Sequence, residues 1–280
     1  MSVEAGSAWE HGGIQYWGLS LSGIRTSLAL PQHHLCFDVA QGFPFVLHLK
    51  KYFITHGHLD HAAGIPYIIS QKAMHNEPSP DFYLPPSLLE PMTEMMRIWE
   101  KIEGHQYRFQ FHPVAAGQSI ELNQQYEVRV FPTVHRIESF GYSLVHKNKK
   151  LKTEFKNLSQ AELAALRREG REIQDQVESI QCSFTGDTQI EFLDLAPEVR
   201  KSKVLFLEAT YFDDKKSVEH ARKWGHTHLD EIIPRLSQLE CEKIVLIHLS
   251  SRYTTSEALK ILKARIPREY QGRVILFPGR

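Results

Sequence analysis

The sequence predicts an α/β protein in which two β-sheets pack together and helices cover their outer faces. Two observations lead to this prediction. Short apolar segments of strand length recur in both halves of the 280-residue chain, with helix-forming segments between them. Several of these segments end in histidine or aspartate, which is typical of strands that hold a functional site at their ends. Pairing two sheets with helices outside is one of the few ways to bury every apolar face.

The first half of the chain alternates strands with two helices. Apolar and aromatic residues predict strands at residues 15–21, 27–30, 35–39, 52–55 and 82–84. Apolar periodicity predicts a helix over 61–74, which ends before the turn-forming prolines Pro78 and Pro80. A second helix is predicted from Pro86 towards Gly104, since proline favours the first helical turn and glycine follows the last.

The second half repeats this alternation but shows no internal sequence repeat. Strands are predicted at residues 107–114, 119–122, 126–133, 140–146, 182–186, 204–208, 244–248 and 274–277. Helices are predicted at about 229–239 and 255–266. We interpret the whole chain, 1–280, as a single domain, because no low-complexity linker divides it.

Residues 147–178 differ in composition from their surroundings and predict a charged inserted arm. Glutamates and helix-forming residues accompany a set of basic side chains: Lys149, Lys150, Lys152, Lys156, Arg167, Arg168 and Arg171. The usual explanation of such a segment is a solvated helix face. The alternative is a basic arm that holds a polyanion.

Composition excludes several classes of protein. The 33 basic and 33 acidic side chains balance, which argues against a broadly basic nucleic-acid-binding surface. The three cysteines form no disulfide or zinc-finger pattern, which favours a reducing compartment. Residues 1–13 lack the pattern of a signal peptide, and no apolar run has the ~20 residues of a membrane helix. We therefore expect a cytoplasmic protein without a membrane partner.

The most informative segment is Thr-His-Gly-His-Leu-Asp-His, at residues 55–61. It follows an apolar strand and holds His56, His58, Asp60 and His61, whose nitrogen and oxygen atoms are ligands for zinc. One ion cannot easily take all four from so short a loop. The spacing therefore predicts two ligands for each of two metals, the arrangement that many hydrolases use. An incidental surface histidine cluster is the alternative, which the strand-loop-helix context disfavours.

Three later strands end in further candidate ligands, His135, Asp187 and His248. A single histidine after a strand usually has no metal-binding role, so the argument depends on the complete set. We expect His56, His58 and His135 to hold one metal. Asp60, His61 and His248 would hold the other, with Asp187 as a bridge. Zinc is the expected metal, with two ions per chain, although Mn²⁺ or Fe²⁺ fits the same ligand chemistry.

The motif His-x-His-x-Asp-His, together with the three later ligands, resembles the metallo-β-lactamase superfamily. Within it, three further motifs resemble the short form of ribonuclease Z, the endonuclease that trims tRNA 3′ ends. They are Leu-Glu-Ala-Thr-Tyr at 207–211, Gly-His-Thr-His at 225–228 and His-Leu-Ser-Ser-Arg-Tyr at 248–253. The resemblance covers nearly the whole chain, and the segment 217–222 is most similar to the plant-like short subgroup. It implies a metallo-β-lactamase-like αββα sandwich of two mixed sheets.

The resemblance also implies an activity and roles for individual residues. The activity is zinc-dependent removal of the 3′ trailer from pre-tRNA by phosphodiester hydrolysis. Asp60 would act on the attacking water, and His226, kept basic by Glu208, would protonate the leaving oxygen. Arg252 is a candidate phosphate contact, and Asp38 a candidate hydrogen-bond partner of a ligand imidazole. The family further implies a homodimer in which the arm serves the partner subunit.

Other readings of these residues remain open. Glu208 and His226 also fit a structural ion pair, and His228 fits a helix cap. The stretch 20–27 lacks the family's common Pro-x-Lys-x-Arg-Asn loop apart from Arg25, and the arm lacks a proline-containing tip. These differences leave a second function possible on the same site, that of a lactonase, thioesterase or small phosphodiesterase. A non-catalytic binding protein is the third alternative.

Overall fold

The computed structural model describes residues 6–277, and its first half forms a seven-stranded sheet. The strands lie side by side in chain order: β1 (Ser7–His11), β2 (Ile14–Leu21), β3 (Arg25–Leu30), β4 (Leu35–Val39), β5 (Lys51–Phe53), β6 (Asp81–Leu84) and β7 (Gln110–Pro113). Neighbours from β1 to β4 are antiparallel, and those from β4 to β7 are parallel. Crossovers between parallel strands carry the helices α1 (Pro44–Leu47), α2 (Leu59–Ala62), α3 (Ile65–Met74) and α4 (Pro86–Glu103).

The second half forms another seven-stranded sheet. Its strands are β8 (Ser119–Glu121), β9 (Tyr126–Pro132), β10 (Phe140–Leu151), β11 (Gln174–Phe184), β12 (Val204–Glu208), β13 (Lys243–Ile247) and β14 (Val274–Leu276). Strands β8 to β11 are antiparallel neighbours, and β11 to β14 run parallel. The helices of this half are α5 (Gln160–Arg168), α6 (Phe192–Leu195), α7 (Val218–Lys223), α8 (Leu229–Ile232) and α9 (Thr255–Arg265).

The two sheets therefore have the same topology. In each, four strands in antiparallel order lead into three more in parallel order. The sequence shows no such repeat, because side-chain identity can diverge while strand order and pairing stay the same.

The apolar core has three layers that match this architecture. The central layer lies between the sheets, where Phe37 of β4 stacks on Phe184 of β11 with ring centroids 5.5 Å apart. A second cluster lies between the first sheet and its helices, and a third between the second sheet and its helices. This confirms the predicted fold class, an αββα sandwich of two mixed sheets.

Several predicted boundaries were wrong for identifiable reasons. The predicted helix 61–74 is divided into α2 and α3 at Gly64, because Pro66 has no N–H to donate and is accommodated in the first turn of α3. The predicted helix 229–239 continues after α8 only as 3-10 turns over Ile233–Gln238, since Pro234 cannot donate an α-helical hydrogen bond. Strand β1 was not predicted at all.

The segment 147–178 combines a β-ribbon at its base with a helix at its far end, whereas its composition suggested helix alone. Strands β10 and β11 continue their antiparallel pairing beyond the sheet, from Lys147 opposite Glu178 to Leu151 opposite Gln174. The short helix α5 lies at the far end and begins with a capping box at Ser159. We call this ribbon and helix, residues 147–178, the arm. Treating 1–280 as one domain stays a prediction, because it includes residues outside 6–277.

Candidate active site

The predicted site residues come together along one edge of the sandwich, at the ends of strands from both sheets. Their positions in the fold are His56 and His58 after β5, Asp60 and His61 in α2, His135 after β9, Asp187 after β11, Glu208 at the end of β12, His226 before α8, and His248 after β13. The carboxyl ends of β12 and β13 face the same way because the two strands are parallel neighbours, and the 3.3 Å contact between His248 and Asp60 joins this edge to the segment after β5. The topology thus assembles residues that are up to 192 positions apart in the chain (248 − 56).

One group of side chains has the composition of a metal site. It comprises His56, His58, His135 and Asp187, whose candidate ligand atoms all lie within 4.8 Å of one another. His58 Nδ1 is 3.0 Å from His56 Nε2 and 3.3 Å from His135 Nε2. Asp187 Oδ2 lies 3.7 Å from His56 Nε2. Three imidazoles and one carboxylate converging on a point are a ligand set suited to zinc.

A second group lies beside the first, and two of its members contact Asp187 of the first group. Asp60, His61 and His248 have their candidate ligand atoms within 4.8 Å of one another. His248 Nε2 lies 3.3 Å from Asp60 Oδ2 and 3.2 Å from Asp187 Oδ1. Asp187 therefore faces both groups, one with each oxygen. The structure brings the predicted ligands together, and their division between two metals stays a prediction.

The donor chemistry of these groups fits a bound cation. His61 Nε2 and Asp187 Oδ1 are buried and 3.2 Å apart, yet neither has a hydrogen-bond partner among residues 6–277. A buried polar atom without a partner costs free energy, and a metal ion supplies the missing interaction. Burial lowers the pKa of His61, but the carboxylates of Asp187 and Asp38 raise it well above its ordinary value. The site therefore favours positive charge between these carboxylates.

The protonation states of three further candidate ligands also suit a metal. Burial lowers the pKa of His56 well below its ordinary value and that of His135 to about 4, so both imidazoles are neutral at physiological pH. Burial would raise the pKa of Asp60, but hydrogen bonds with His248 and His61 hold it below its ordinary value. Metal ligands must be deprotonated to bind, and these residues meet that condition.

Asp38 supports the site from behind, where it contacts the imidazole of a candidate ligand as expected from the sequence. Its Oδ2 lies 2.7 Å from His61 Nδ1 and accepts a hydrogen bond from the Thr55 hydroxyl at 2.8 Å. The backbone N–H of Thr55 donates to Asp38 Oδ1 at 2.8 Å. With Nδ1 held in this way, His61 turns Nε2 towards Asp187. A carboxylate behind a ligand imidazole is a frequent arrangement in metalloproteins.

Glu208 and His226 form a hydrogen-bonded pair beside Asp187. His226 Nδ1 is 2.6 Å from Glu208 Oε1, and the backbone N–H of Thr227 donates to Glu208 Oε2 at 2.7 Å. Burial lowers the pKa of His226, but the Glu208 carboxylate raises it, to about 9 overall. The imidazole is therefore protonated at neutral pH. With Nδ1 bound to Glu208, Nε2 is the nitrogen available to a substrate.

Several supporting residues were missed by sequence reasoning. The hydroxyl of Thr210 donates to Glu208 Oε1 at 3.0 Å and lies 3.1 Å from His248 Nδ1, so it connects the two groups. The N–H of Gly23 donates to Asp60 Oδ2 at 2.9 Å. In the sequence motifs, threonines stand near the candidate site residues, and this pattern could have identified Thr210 as a supporting residue. Nothing in the sequence indicates that the β2–β3 turn reaches Asp60.

Two residues of the candidate site have unusual backbone conformations. Asp38 has φ of 51° and His248 has φ of 61°, in the left-handed region that non-glycine residues rarely adopt. The surrounding fold must stabilise these conformations. Ser20 contributes to this, because its hydroxyl accepts a hydrogen bond from the N–H of His248 at 2.8 Å. Strain of this kind is concentrated at functional sites.

The structure places the other singled-out residues outside the ligand groups. His228 caps α8, where its side chain accepts a hydrogen bond from the N–H of Asp230 at 3.1 Å. Arg252 is exposed in the loop that follows His248. The hydroxyl of Tyr253 donates to Asp213 at 2.7 Å, and the N–H of Ser250 donates to the Thr210 carbonyl at 3.0 Å. These two motif residues join neighbouring loops of the site.

Comparison with known sequences gives one family model and several curated relatives. The model of the family described as anti-Pycsar protein Apyc1 matches residues 37–261. The protein named tRNase Z TRZ1 of Arabidopsis thaliana is 31% identical over 274 residues, which span 97% of this chain and 98% of the relative. The chloroplastic tRNase Z TRZ2 of the same plant is 33% identical over 243 residues, 86% of this chain and 68% of the relative.

Solved structures with a similar fold are also known. Human tRNase Z, short form, aligns with a TM-score of 0.55 at 19% identity and covers 98% of this chain and 93% of its own. The metallo-β-lactamase fold protein YhfI from Bacillus subtilis aligns with a TM-score of 0.59 at 14% identity and covers 99% and 90%. At these identities the likeness establishes the fold. Among residues 6–277, no helix is both long and apolar enough to span a bilayer.

Proposed function

Since the chain belongs to the tRNase Z family, whose fold is that of the metallo-β-lactamases, and matches the Apyc1 family model over most of its length, we propose that it cleaves pre-tRNA as a metal-dependent endoribonuclease. The reaction is hydrolysis of one phosphodiester bond, which removes the 3′ trailer. The observation that carries the proposal is the contact between Glu208 and His226 beside the ligand groups, at 2.6 Å. A hydrolase whose leaving group is stable without protonation has no need of a protonated imidazole at this position.

The proposed metal content is two zinc ions per chain. His56, His58 and His135 would hold one, Asp60, His61 and His248 the other, and Asp187 would bridge them. The unpartnered buried atoms of His61 and Asp187 support this assignment. Imidazole and carboxylate ligands favour zinc, and Mn²⁺ or Fe²⁺ are the alternatives. When bound, such ions lower the pKa of a water molecule towards neutrality and offset negative charge on the phosphate.

Three residues of the chain carry the proton transfers in this proposal. Asp60 is ionised, and it orients the attacking water and accepts its proton. The water oxygen bonds to phosphorus as the bond from phosphorus to the ribose 3′ oxygen breaks. His226 donates a proton from Nε2 to that oxygen, and its Nδ1 stays hydrogen-bonded to Glu208. The products are a tRNA body with a 3′-hydroxyl and a trailer with a 5′-phosphate.

Substrate binding is assigned to basic residues at the margin of the site and on the arm. Arg252 is exposed in the loop that follows His248, and we assign it to a phosphate of the substrate. The basic side chains of the arm would contact RNA further from the cleaved bond, where they displace counterions from the phosphates.

The family resemblance also predicts a homodimer. An exposed apolar face on α3 and α4 supports it, since Tyr67, Met95, Ile98, Trp99 and Ile102 are all at least 39% exposed there. Exposed apolar patches of this kind often mark contacts between proteins. Light scattering of the purified protein measures the oligomeric state. A cytoplasmic location likewise stays a prediction.

A small phosphodiester is the second candidate substrate, favoured by the absence of the family's Pro-x-Lys-x-Arg-Asn loop from residues 20–27. The test is to assay one preparation, with its metal content measured, on a pre-tRNA transcript and on a small generic diester. The proposal expects much greater kcat/KM for pre-tRNA. Efficient hydrolysis of the diester with no cleavage of pre-tRNA would support the second candidate.

A further inference from the structure

An exposed aromatic ring lies at the edge of the candidate site, next to the residue assigned as proton donor. Trp224 is 45% exposed and is two residues before His226. The guanidinium carbon of Arg136 lies 4.7 Å from the centroid of the Trp224 ring, a distance typical of a cation–π contact. Neither side chain is needed for the proton transfers described above.

The backbone fixes this pair to the site. His135 Nδ1 lies 2.8 Å from the carbonyl oxygen of Gly225, so the residue before Arg136 is bonded to the residue after Trp224. Gly225 has φ of 78°, and a Cβ atom there would lie 2.6 Å from His135 Nδ1 and 3.1 Å from the N–H nitrogen of Arg136. Only glycine permits this approach, which sets the two loops in a fixed relative position.

The charge of Arg136 is available to a ligand. Within residues 6–277, Arg136 forms no ion pair with a carboxylate. Its neighbour across the same loops, Arg222, pairs with Glu231 and Glu191, at 2.6 Å in each case. Arg136 therefore supplies an uncompensated positive charge, and Trp224 supplies an aromatic surface beside it. Proteins bind single-stranded nucleic acid by this combination.

The direction of the reaction places a nucleotide beside this pair. The proposed proton donor, His226, must face the ribose oxygen that leaves, and the base of that nucleotide extends from the same ribose. Trp224 is the nearest exposed tryptophan to His226 in the chain and borders it through Gly225.

We infer that Trp224 and Arg136 form a stacking platform for the base of the nucleotide that carries the leaving oxygen, an inference that rests on the proposed pre-tRNA cleavage. The indole stacks on the base, and Arg136 holds the indole and attracts the neighbouring phosphate. Since every base has a π-face, the platform orients the substrate without requiring a particular base. It positions the leaving oxygen at His226.

A double-mutant cycle between protein and substrate tests the platform. The wild-type protein and Trp224→Ala are each assayed on a pre-tRNA with an intact base at that nucleotide and on the same RNA with an abasic site there. For the wild type, removal of the base should lower kcat/KM by roughly 5- to 150-fold, the effect of one lost base–aromatic stack. For Trp224→Ala, intact and abasic substrates should be cleaved at equal rates. Trp224→Phe should recover part of the difference.

Controls separate stacking from damage to the fold. Ile137→Ala removes a neighbouring exposed side chain and should behave as the wild type. Arg136→Gln should show a smaller loss on the intact substrate than Trp224→Ala. The platform would be overturned if Trp224→Ala lowered kcat/KM by the same factor for the intact and the abasic RNA, relative to the wild type. It would also be overturned if the wild type cleaved the intact and the abasic RNA with the same kcat/KM. A metal-loaded wild type that cleaves neither RNA would instead overturn the proposed function, and the platform with it.

Discussion

Asp187 is the single residue on which both candidate ligand groups depend. Its Oδ1 lies 3.2 Å from His61 Nε2 and from His248 Nε2, and its Oδ2 lies 3.7 Å from His56 Nε2. Burial raises its pKa, but the surrounding histidines, His248 foremost, hold the pKa well below its ordinary value. A carboxylate can bridge two cations through its two oxygens, whereas an imidazole normally binds one.

We expect Asp187→Ala to lose most of the bound metal and to lower kcat by more than roughly 100-fold, since even partners behind metal ligands contribute 10- to 100-fold to affinity. Metal analysis and single-turnover assays measure the two effects. Asp194→Ala is the matched control, because Asp194 pairs with Arg235 and Arg200 on the surface. Near wild-type metal content and turnover in Asp187→Ala would show that the ligand assignment is wrong.

Replacing His226, the proposed proton donor, tests whether the protein is a ribonuclease or a general metal hydrolase. A ribose alkoxide is a poor leaving group and needs a proton, whereas nitrophenolate leaves readily without one. His226→Ala should therefore slow pre-tRNA cleavage by roughly 10²- to 10⁴-fold and slow hydrolysis of bis(p-nitrophenyl) phosphate far less. Glu208→Ala should show the same asymmetry more weakly, because it keeps the imidazole.

The control for this prediction is the metal content, which should not change in His226→Ala. If both substrates are slowed alike while the metals are retained, His226 is not a proton donor. Its contact with Glu208 would then be a structural ion pair, the alternative that the sequence leaves open.

At the scale of residues, the sequence predicts the candidate ligands but misses the residues that hold those ligands in position. The seven candidate ligands are recognisable because each follows an apolar strand. Thr210 and Gly23 act through contacts with residues far along the chain, such as Gly23 with Asp60. The positive φ of His248 could not be predicted from the sequence either, because histidine is enriched in that region but still adopts it in only a small minority of cases.

At the scale of elements, the arm shows where sequence reasoning was weakest. Its charged, helix-forming composition suggested a helix, which forms only over Gln160–Arg168, whereas residues 147–151 and 174–178 pair as the continuation of β10 and β11. Pairing between strands separated by 20–30 residues depends on the sheet from which they extend, not on local propensity. At the base of the arm, Lys147 pairs with Glu127 at 2.9 Å and Glu178 with Arg129 at 2.5 Å.

The register allows the arm to be removed without disturbing its base. Replacing residues 148–177 by a short Asn-Gly turn keeps the pair of Lys147 and Glu178. This variant should raise KM for pre-tRNA, because basic contacts with the RNA are lost, and should leave hydrolysis of a small diester nearly unchanged. Steady-state kinetics on both substrates measure the effect. Equal loss on both would place the arm in the core or the active site.

At the scale of the whole molecule, the sequence predicted the two packed sheets but not the matching strand order that the sheets share. Apolar strand groups indicate two packed sheets, and the structure confirms them. The matching strand order of the two sheets is a property of backbone pairing and has no counterpart in residue identity. The same topology explains the site, since the carboxyl ends of parallel strands from both halves meet at one edge.

The central claim is that this edge hydrolyses one phosphodiester bond of pre-tRNA with the help of bound metal. The most direct measurement is cleavage of an end-labelled pre-tRNA transcript by the metal-loaded protein, with and without excess chelator, followed by analysis of both new ends. We predict one cut that leaves a 3′-hydroxyl on the tRNA body and a 5′-phosphate on the trailer, and its loss with chelator. A 2′,3′-cyclic phosphate, cleavage that resists chelation, or no cleavage of pre-tRNA would contradict the account.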